Sequence, residues 1–186
     1  MIKKIDNVLS NNLIKNIIEY FKIVLKRQEW KSSLGWDQSL APFSANILVH
    51  EITCNMLIKQ IKENVEKAIK VDFDKENLRF MPMIYIWNAG SYITWHPDDR
   101  YPYSGTIYLN EEWDSNDGGL FLYKENETNE IRGIEPKYNT MVVNSATETN
   151  KHNYHCVTYI VPGSLKKRIT IQWRTTPKEK KSFLYQ

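Results

Sequence analysis

Phe80-Met81-Pro82-Met83-Ile84-Tyr85-Ile86-Trp87, then Asn88-Ala89-Gly90, then Tyr92-Ile93-Thr94-Trp95-His96, is the stretch on which the reading of this chain turns. Its first eight residues are almost continuously apolar and rich in aromatic side chains, as in a strand buried on both faces. Pro82 cannot donate to a ladder, so it is expected near the start of that strand or at a sheet edge. Asn88-Ala89-Gly90 turns the chain. Further short strands, each bounded by turn residues, are expected over 92–96, 105–109, 119–123, 140–144, 155–161 and 168–174. Many short strands with long connections and no helices between them predict an antiparallel double sheet of the jelly-roll type.

Upstream the pattern is helical. Leu13, Ile14, Ile17, Ile18, Phe21 and Leu25 recur at helical spacing, with Asn11 or Asn12 available as a cap. A second amphipathic segment covers about 51–70, with Ile52, Met56, Leu57, Ile61, Val65 and Ile69 on one face. Between them, residues 30–44 are rich in Ser, Gly, Pro and Trp and suit a connection or a lid. The fold class is therefore mainly β with flanking helices (α+β), the helical portion packing on one sheet. We expect one domain over 1–186: helical support over 1–75, a β core over 76–176 and a basic tail over 177–186.

Composition excludes several classes. The 186 residues are 41% hydrophobic and 25% charged, ordinary for a globular chain and too apolar for wholesale disorder. A formal charge of +3 gives no strong pull toward nucleic acid, although Lys178, Lys180 and Lys181 cluster near the end. Cys54 and Cys156 show no motif spacing, so neither a disulfide framework nor a thiolate metal site is expected, and a reducing cytoplasm is the simplest setting. No run approaches the ~20 apolar residues of a membrane span. Oligomeric state is not readable.

The residues that carry chemistry are His96-Pro97-Asp98 and the distant His155. Two imidazoles and one carboxylate form the ligand set of a non-haem Fe(II) centre that keeps open positions for co-substrate and dioxygen. On a strand, residues two apart share a face, so His96 and Asp98 can point inward together. His155 would come from a distant strand brought opposite by a two-sheet barrel. Asp99 competes with Asp98 but has the wrong alternation; His152 competes with His155 but sits in a loop-like stretch. The alternative is an ordinary strand-end histidine followed by turn carboxylates.

Gly90, His96-x-Asp98, Thr106-Ile107-Tyr108-Leu109-Asn110, Glu112-Trp113-Asp114, Gly118-Gly119-Leu120-Phe121-Leu122-Tyr123, Ile134-Glu135-Pro136-Lys137-Tyr138 and His155-x-Val157 stand in an order that resembles the prolyl-4-hydroxylase-like 2-oxoglutarate/Fe(II) dioxygenases. The resemblance spans roughly the last hundred residues. It implies a double-stranded β-helix, with His96, Asp98 and His155 as iron ligands and as the catalytic centre. It also implies a deep cation that pairs with the distal carboxylate of 2-oxoglutarate. Arg168 and Lys167 are the candidates. The hydroxylase pattern, a cation six residues before a Trp, leads from Trp173 to Lys167. Related alkylation-repair demethylases use two arginines six apart, which Arg168 and Arg174 match. Arg168 is favoured because its planar fork makes two charge-assisted bonds to one carboxylate. Tyr108 resembles the tyrosine that reaches the same carboxylate. Tyr85, Trp87 and Trp173 are candidate pocket aromatics or core residues, and Gly118-Gly119 suits a tight turn or bulge.

The implied activity consumes 2-oxoglutarate and dioxygen on Fe(II), with ascorbate as a possible support, and hydroxylates a C–H bond. A prolyl or other amino-acid, peptide or small-molecule substrate is the leading expectation. Oxidative demethylation of nucleic acid is the second, and a non-catalytic jelly-roll binding protein the third.

Overall fold

The computed structural model describes residues 1–26, 31–32, 47–146 and 153–178. The candidate lid, 30–44, lies outside these residues except at 31–32, as do His152 and the tail beyond Lys178.

The chain runs β1 (Ile2–Asp6), α1 (Asn11–Lys26), β2 (Lys31–Ser32), β3 (Ile47–Glu51), α2 (Asn55–Ile69), β4 (Leu78–Trp87), β5 (Ile93–His96) and β6 (Tyr103–Tyr108). It continues through β7 (Phe121–Lys124), β8 (Ile131–Ile134), β9 (Thr140–Ser145), β10 (His155–Val157) and β11 (Arg168–Pro177). Two antiparallel sheets result: β1-β9-β6-β11-β4-β3-β2 and β5-β10-β7-β8. This is the double-stranded β-helix.

The pleat of the larger sheet sorts the core into two layers. Ile84 on β4, Ile107 on β6, Met141 and Val143 on β9, and Ile171 and Trp173 on β11 face outward. There they bury Leu13, Ile14 and Ile17 of α1 and Leu57, Ile61 and Val65 of α2. Their neighbours in sequence, Tyr85, Trp87, Tyr108 and Val142, face inward toward Ile93, Phe121 and Val157 of the smaller sheet. The period-2 alternation therefore separates a helix-facing layer from the barrel interior.

Three local expectations are corrected. Ser10, rather than Asn11 or Asn12, caps α1: its hydroxyl accepts from the Leu13 amide at 3.3 Å. The second helix begins at Asn55, because residues up to Glu51 pair as β3 with β4. Pro82 lies mid-strand, opposite Trp173 of β11. Its carbonyl accepts from the Ile52 amide beyond the end of β3. Amide and carbonyl of one strand residue point to the same side, so the missing N–H faces away from β11 and costs no bond to that strand. Strands β1, β2, β3 and β8 were not read from the sequence. Cys54 and Cys156 are both free thiols. No helix among the described residues is long and apolar enough to cross a membrane.

Candidate metal centre

β5 and β10 run antiparallel with His96 opposite His155, and Ile93 opposite Val157. Three steps on β5 therefore match two on β10, which is a β-bulge. Without it, Ile93 and His96 would point to opposite faces; with it, both face the barrel interior. Asp98 is not on the strand, as the sequence reading had it, but two residues past its end in a turn closed by the Tyr101 amide on the Asp98 carbonyl at 3.0 Å. The turn still carries the carboxylate back to the imidazoles. Asp98 Oδ1 is 3.8 Å from His96 Nε2, and Oδ2 is 3.7 Å from His155 Nε2.

Each imidazole is oriented by the backbone. His96 Nδ1 lies 2.8 Å from the Thr94 carbonyl and His155 Nδ1 2.9 Å from the Asn153 carbonyl. A carbonyl only accepts, so both Nδ1 atoms carry the proton and both Nε2 atoms present lone pairs to the shared centre. Phe121 stacks on the His155 ring at 5.1 Å. Burial, reinforced by the neighbouring His155, lowers the pKa of His96, which keeps it neutral and fit to ligate. The Ser104 hydroxyl donates to Asp98 Oδ2 at 2.7 Å. The three donor atoms lie within 4.8 Å of one another, two nitrogens and one oxygen around one point, a donor set that suits Fe(II).

A cleft opens beside this cluster, walled by Ile93, Phe121, Val142 and Val157 and by the polar Ser104, Thr106, Asn144 and Gln172. Thr106 donates to Gln172 at 2.9 Å. Ser104, Asn144 and Gln172 were not singled out from the sequence, and Thr106 entered only as the first residue of the Thr106–Asn110 motif. Their signal was parity: Thr106 and Ser104 lie two and four residues before Tyr108, and Gln172 lies four after Arg168.

Deeper on the inner face, Arg168 is 1% exposed. Its guanidinium lies 4.6 Å over the Trp87 ring and 5.0 Å from the Tyr108 ring. Neither its three nitrogens nor the Tyr108 hydroxyl makes a hydrogen bond of good geometry, although the two groups lie close enough to interact with each other. Burial pulls the Arg168 pKa down and pushes that of Tyr108 up, so the phenol is neutral. A guanidinium nonetheless keeps its charge in a protein. A buried cation with five unmet donors is costly unless an anion joins it. Gly119 makes room, since a Cβ there would lie 3.3 Å from Arg168 Cδ and 3.4 Å from Nη1. At Gly118, φ is +74° and a Cβ would meet the Tyr159 carbonyl oxygen, so this glycine serves the approach of the neighbouring backbone and not of the guanidinium.

The structure does not bring every candidate here. Lys167 is exposed, one residue out of phase with Arg168. Trp173 faces the helices, against Phe73 at 6.0 Å and Phe80 at 5.6 Å, and not the cleft. Tyr85 sits on the inner face beside Trp87, with ring centroids 6.2 Å apart. Arg174 is on the inner face at the other end of β11, half-buried and bonded to Tyr101.

Residues 80–174 match the family model described as the 2OG-Fe(II) oxygenase superfamily. No curated protein matches the sequence. Among solved structures, a Pseudomonas putida prolyl-4-hydroxylase superposes with a TM-score of 0.67 at 15% identity, over 94% of this chain and 91% of that one. A Trichoplax adhaerens prolyl hydroxylase, solved with a hypoxia inducible factor peptide fragment, gives 0.72 at 15% identity, over 100% and 87%. A viral collagen prolyl hydroxylase from Paramecium Bursaria Chlorella virus-1 gives 0.63 at 16% identity, over 94% of each chain. At such identities these likenesses speak for the fold. With the family match spanning the strands that build the cluster and the Arg168 pocket, the chain belongs to the 2OG-Fe(II) oxygenase superfamily and is an Fe(II)/2-oxoglutarate-dependent dioxygenase.

Proposed function

We propose that this dioxygenase hydroxylates a C–H bond of a prolyl or other amino-acid or peptide substrate, with His96, Asp98 and His155 as the iron ligands. The observation that carries the reading is the pairing of two unmet demands within one barrel interior. One is a cluster of two imidazoles and a carboxylate at the mouth; the other is a buried cation without a counter-ion at depth.

A ligand with a carboxylate at each end satisfies both. Arg168 would grip the distal carboxylate of 2-oxoglutarate with its fork, and Tyr108 would donate its hydroxyl to the same group. Trp87 holds the guanidinium plane from below, and its indole is itself fixed by donating to Thr170 Oγ1 at 3.1 Å. The apolar wall of Ile93, Phe121, Val142 and Val157 excludes water from the space between. Iron bound at the triad supplies the redox chemistry that couples oxidative decarboxylation of 2-oxoglutarate to oxygen insertion into a substrate C–H bond. The two Nε2 atoms and the Ser104-held carboxylate would fix the ion's position, and no side chain is needed as a general base.

A second reading, oxidative demethylation of nucleic acid, draws on Arg168 and Arg174 standing six apart on one face. The same assay separates the two. Purified protein with Fe(II), 2-oxoglutarate, ascorbate and air is offered peptides, free amino acids and oligonucleotides, and succinate and a one-oxygen mass gain are followed. Succinate formation abolished in His96→Ala, with the mass gain on a peptide or amino acid, is the expected result. No succinate under any condition overturns the dioxygenase reading, and demethylated oligonucleotide overturns the substrate class.

A further inference from the structure

Arg174 is a second cation without an anion. Its Nη1 donates to the Tyr101 hydroxyl at 2.8 Å, and its guanidinium lies 5.0 Å from the Tyr101 ring. Its Nε is buried and has no partner, and no carboxylate among the described residues pairs with it. By register the side chain lies next to the metal cluster, just outside the residues that line its cleft. On β11 it follows Gln172 of the cleft wall by two residues, so it shares that inner face. Its cross-strand partner is Ser104, whose hydroxyl holds Asp98. Tyr101 and Asp98 are the two ends of one turn. The residue that steadies Arg174 and the residue proposed to ligate iron are therefore positioned by the same few bonds.

The geometry fixes which edge is available. Tyr101 takes Nη1, on the Cδ side of the guanidinium, and leaves the opposite edge, Nε–H with Nη2–H. Those two parallel donors match the two oxygens of a carboxylate. Arg168 does not share this ligand: six residues of strand separate the two Cα atoms by about 20 Å. Anchoring the 98–101 turn would need one donor to one phenol. A full charge with a desolvated, unmet Nε calls for more.

We infer that Arg174 is the receptor for a carboxylate carried by the substrate, placed by the Tyr101 hydroxyl so that the carboxylate docks beside the His96–Asp98–His155 cluster. The inference rests on the dioxygenase reading. The carboxylate has two sources, the free α-carboxylate of an amino acid or the side chain of an acidic residue in a peptide.

The test uses acid/amide pairs that differ in nothing else: free L-amino acids against their amides, and end-blocked peptides with Glu or Asp against Gln or Asn. Each is offered to the Fe(II)-loaded full chain with saturating 2-oxoglutarate, and substrate-dependent succinate and mass gain are read. At least one acid should be used ten-fold or more better than its amide, and whether it is an amino acid or a peptide names the source. That preference should vanish in Arg174→Gln, survive in part in Arg174→Lys and weaken in Tyr101→Phe, chiefly through KM for the acid. Absence of any acid preference across the panel, whether through equal use or no use, overturns the inference. So does a greater than ten-fold fall in 2-oxoglutarate affinity in Arg174→Lys, measured on Mn(II)-loaded protein, with acid preference intact, since Arg174 would then serve the co-substrate. Oxidation of oligonucleotides alone, lost in Arg174→Gln, would make it a phosphate contact and overturn it too. A wild-type chain that forms no succinate even without substrate fails one level lower, at the dioxygenase reading.

Discussion

Along β11 the inward face carries Arg168, Thr170, Gln172 and Arg174, whereas the outward face of the same ten-residue strand carries Ile169, Ile171, Trp173 and Thr175. The outward face packs within the chain, although the Trp173 indole Nε1 is buried without a hydrogen-bond partner. Trp173 and Ile171 are buried against helix-borne side chains, and Thr175 Oγ1 accepts from the Tyr103 amide at 3.0 Å. The inward face is left in debt: two guanidinium groups with no carboxylate paired to them among the described residues, beside a polar wall. One strand thus separates stability from function by parity alone. Residues on the outward side hold the sheet to its helices, and those on the inward side wait for ligands.

The comparison breaks most readily at Arg168. Replacing it with Met removes a charge-assisted fork proposed to hold a desolvated carboxylate, a change that typically costs about 2–5 kcal/mol of binding. At about 1.4 kcal/mol per decade, the 2-oxoglutarate affinity should fall by well over ten-fold by calorimetry on Mn(II)-loaded protein. Lys167→Met should leave it within about two-fold, since the exposed ammonium is screened. The same Arg168→Met change should raise the urea midpoint of the metal-free chain, because unmet buried donors each cost about 1–3 kcal/mol. A lowered midpoint, or equal effects at 167 and 168, would erase the distinction between the faces.

Trp173→Ala probes the other side. Truncating a buried indole costs about 3–5 kcal/mol, the more so because Gly105 leaves room for this ring: a Cβ there would lie 2.7 Å from the indole carbons. Urea unfolding should show the loss, while the protein that remains folded binds 2-oxoglutarate as before. A large drop in that affinity at constant stability would place the indole in the cleft.

The smallest effect is in pH. Burial lowers the pKa of His96 from 6.5, so below that value the unfolded chain binds a proton that the folded chain resists. Stability of the metal-free protein should therefore fall as pH drops below about 6.5, and His96→Gln should flatten that slope. An unchanged slope would show that this imidazole is not desolvated.

The strands of the barrel and the cluster of His96, Asp98 and His155 were legible because their signals are local. An apolar run, a turn and a histidine at the head of a strand can be recognised without knowing what lies opposite. Parity was legible too and was not fully used: Arg168 and Trp173 are five apart and cannot share a face of one strand. The edge strands left weaker traces. Ile2-Lys3-Lys4-Ile5-Asp6 has no clean alternation, and Ile131–Ile134 is short and carries a glycine.

By itself the sequence determined where the main barrel strands lie along the chain, the donor chemistry of His96, Asp98 and His155, and the presence of cations near residue 168. Only the tertiary structure decided which cation is buried, through pairing with Trp87 and the space left by Gly119. It alone supplied the bulge that turns His96 inward, the turn that returns Asp98, and the Tyr101 hydroxyl that occupies one side of Arg174. The reason is physical: residue type and period are properties of a segment, whereas burial, register and an unmet hydrogen bond exist only between segments.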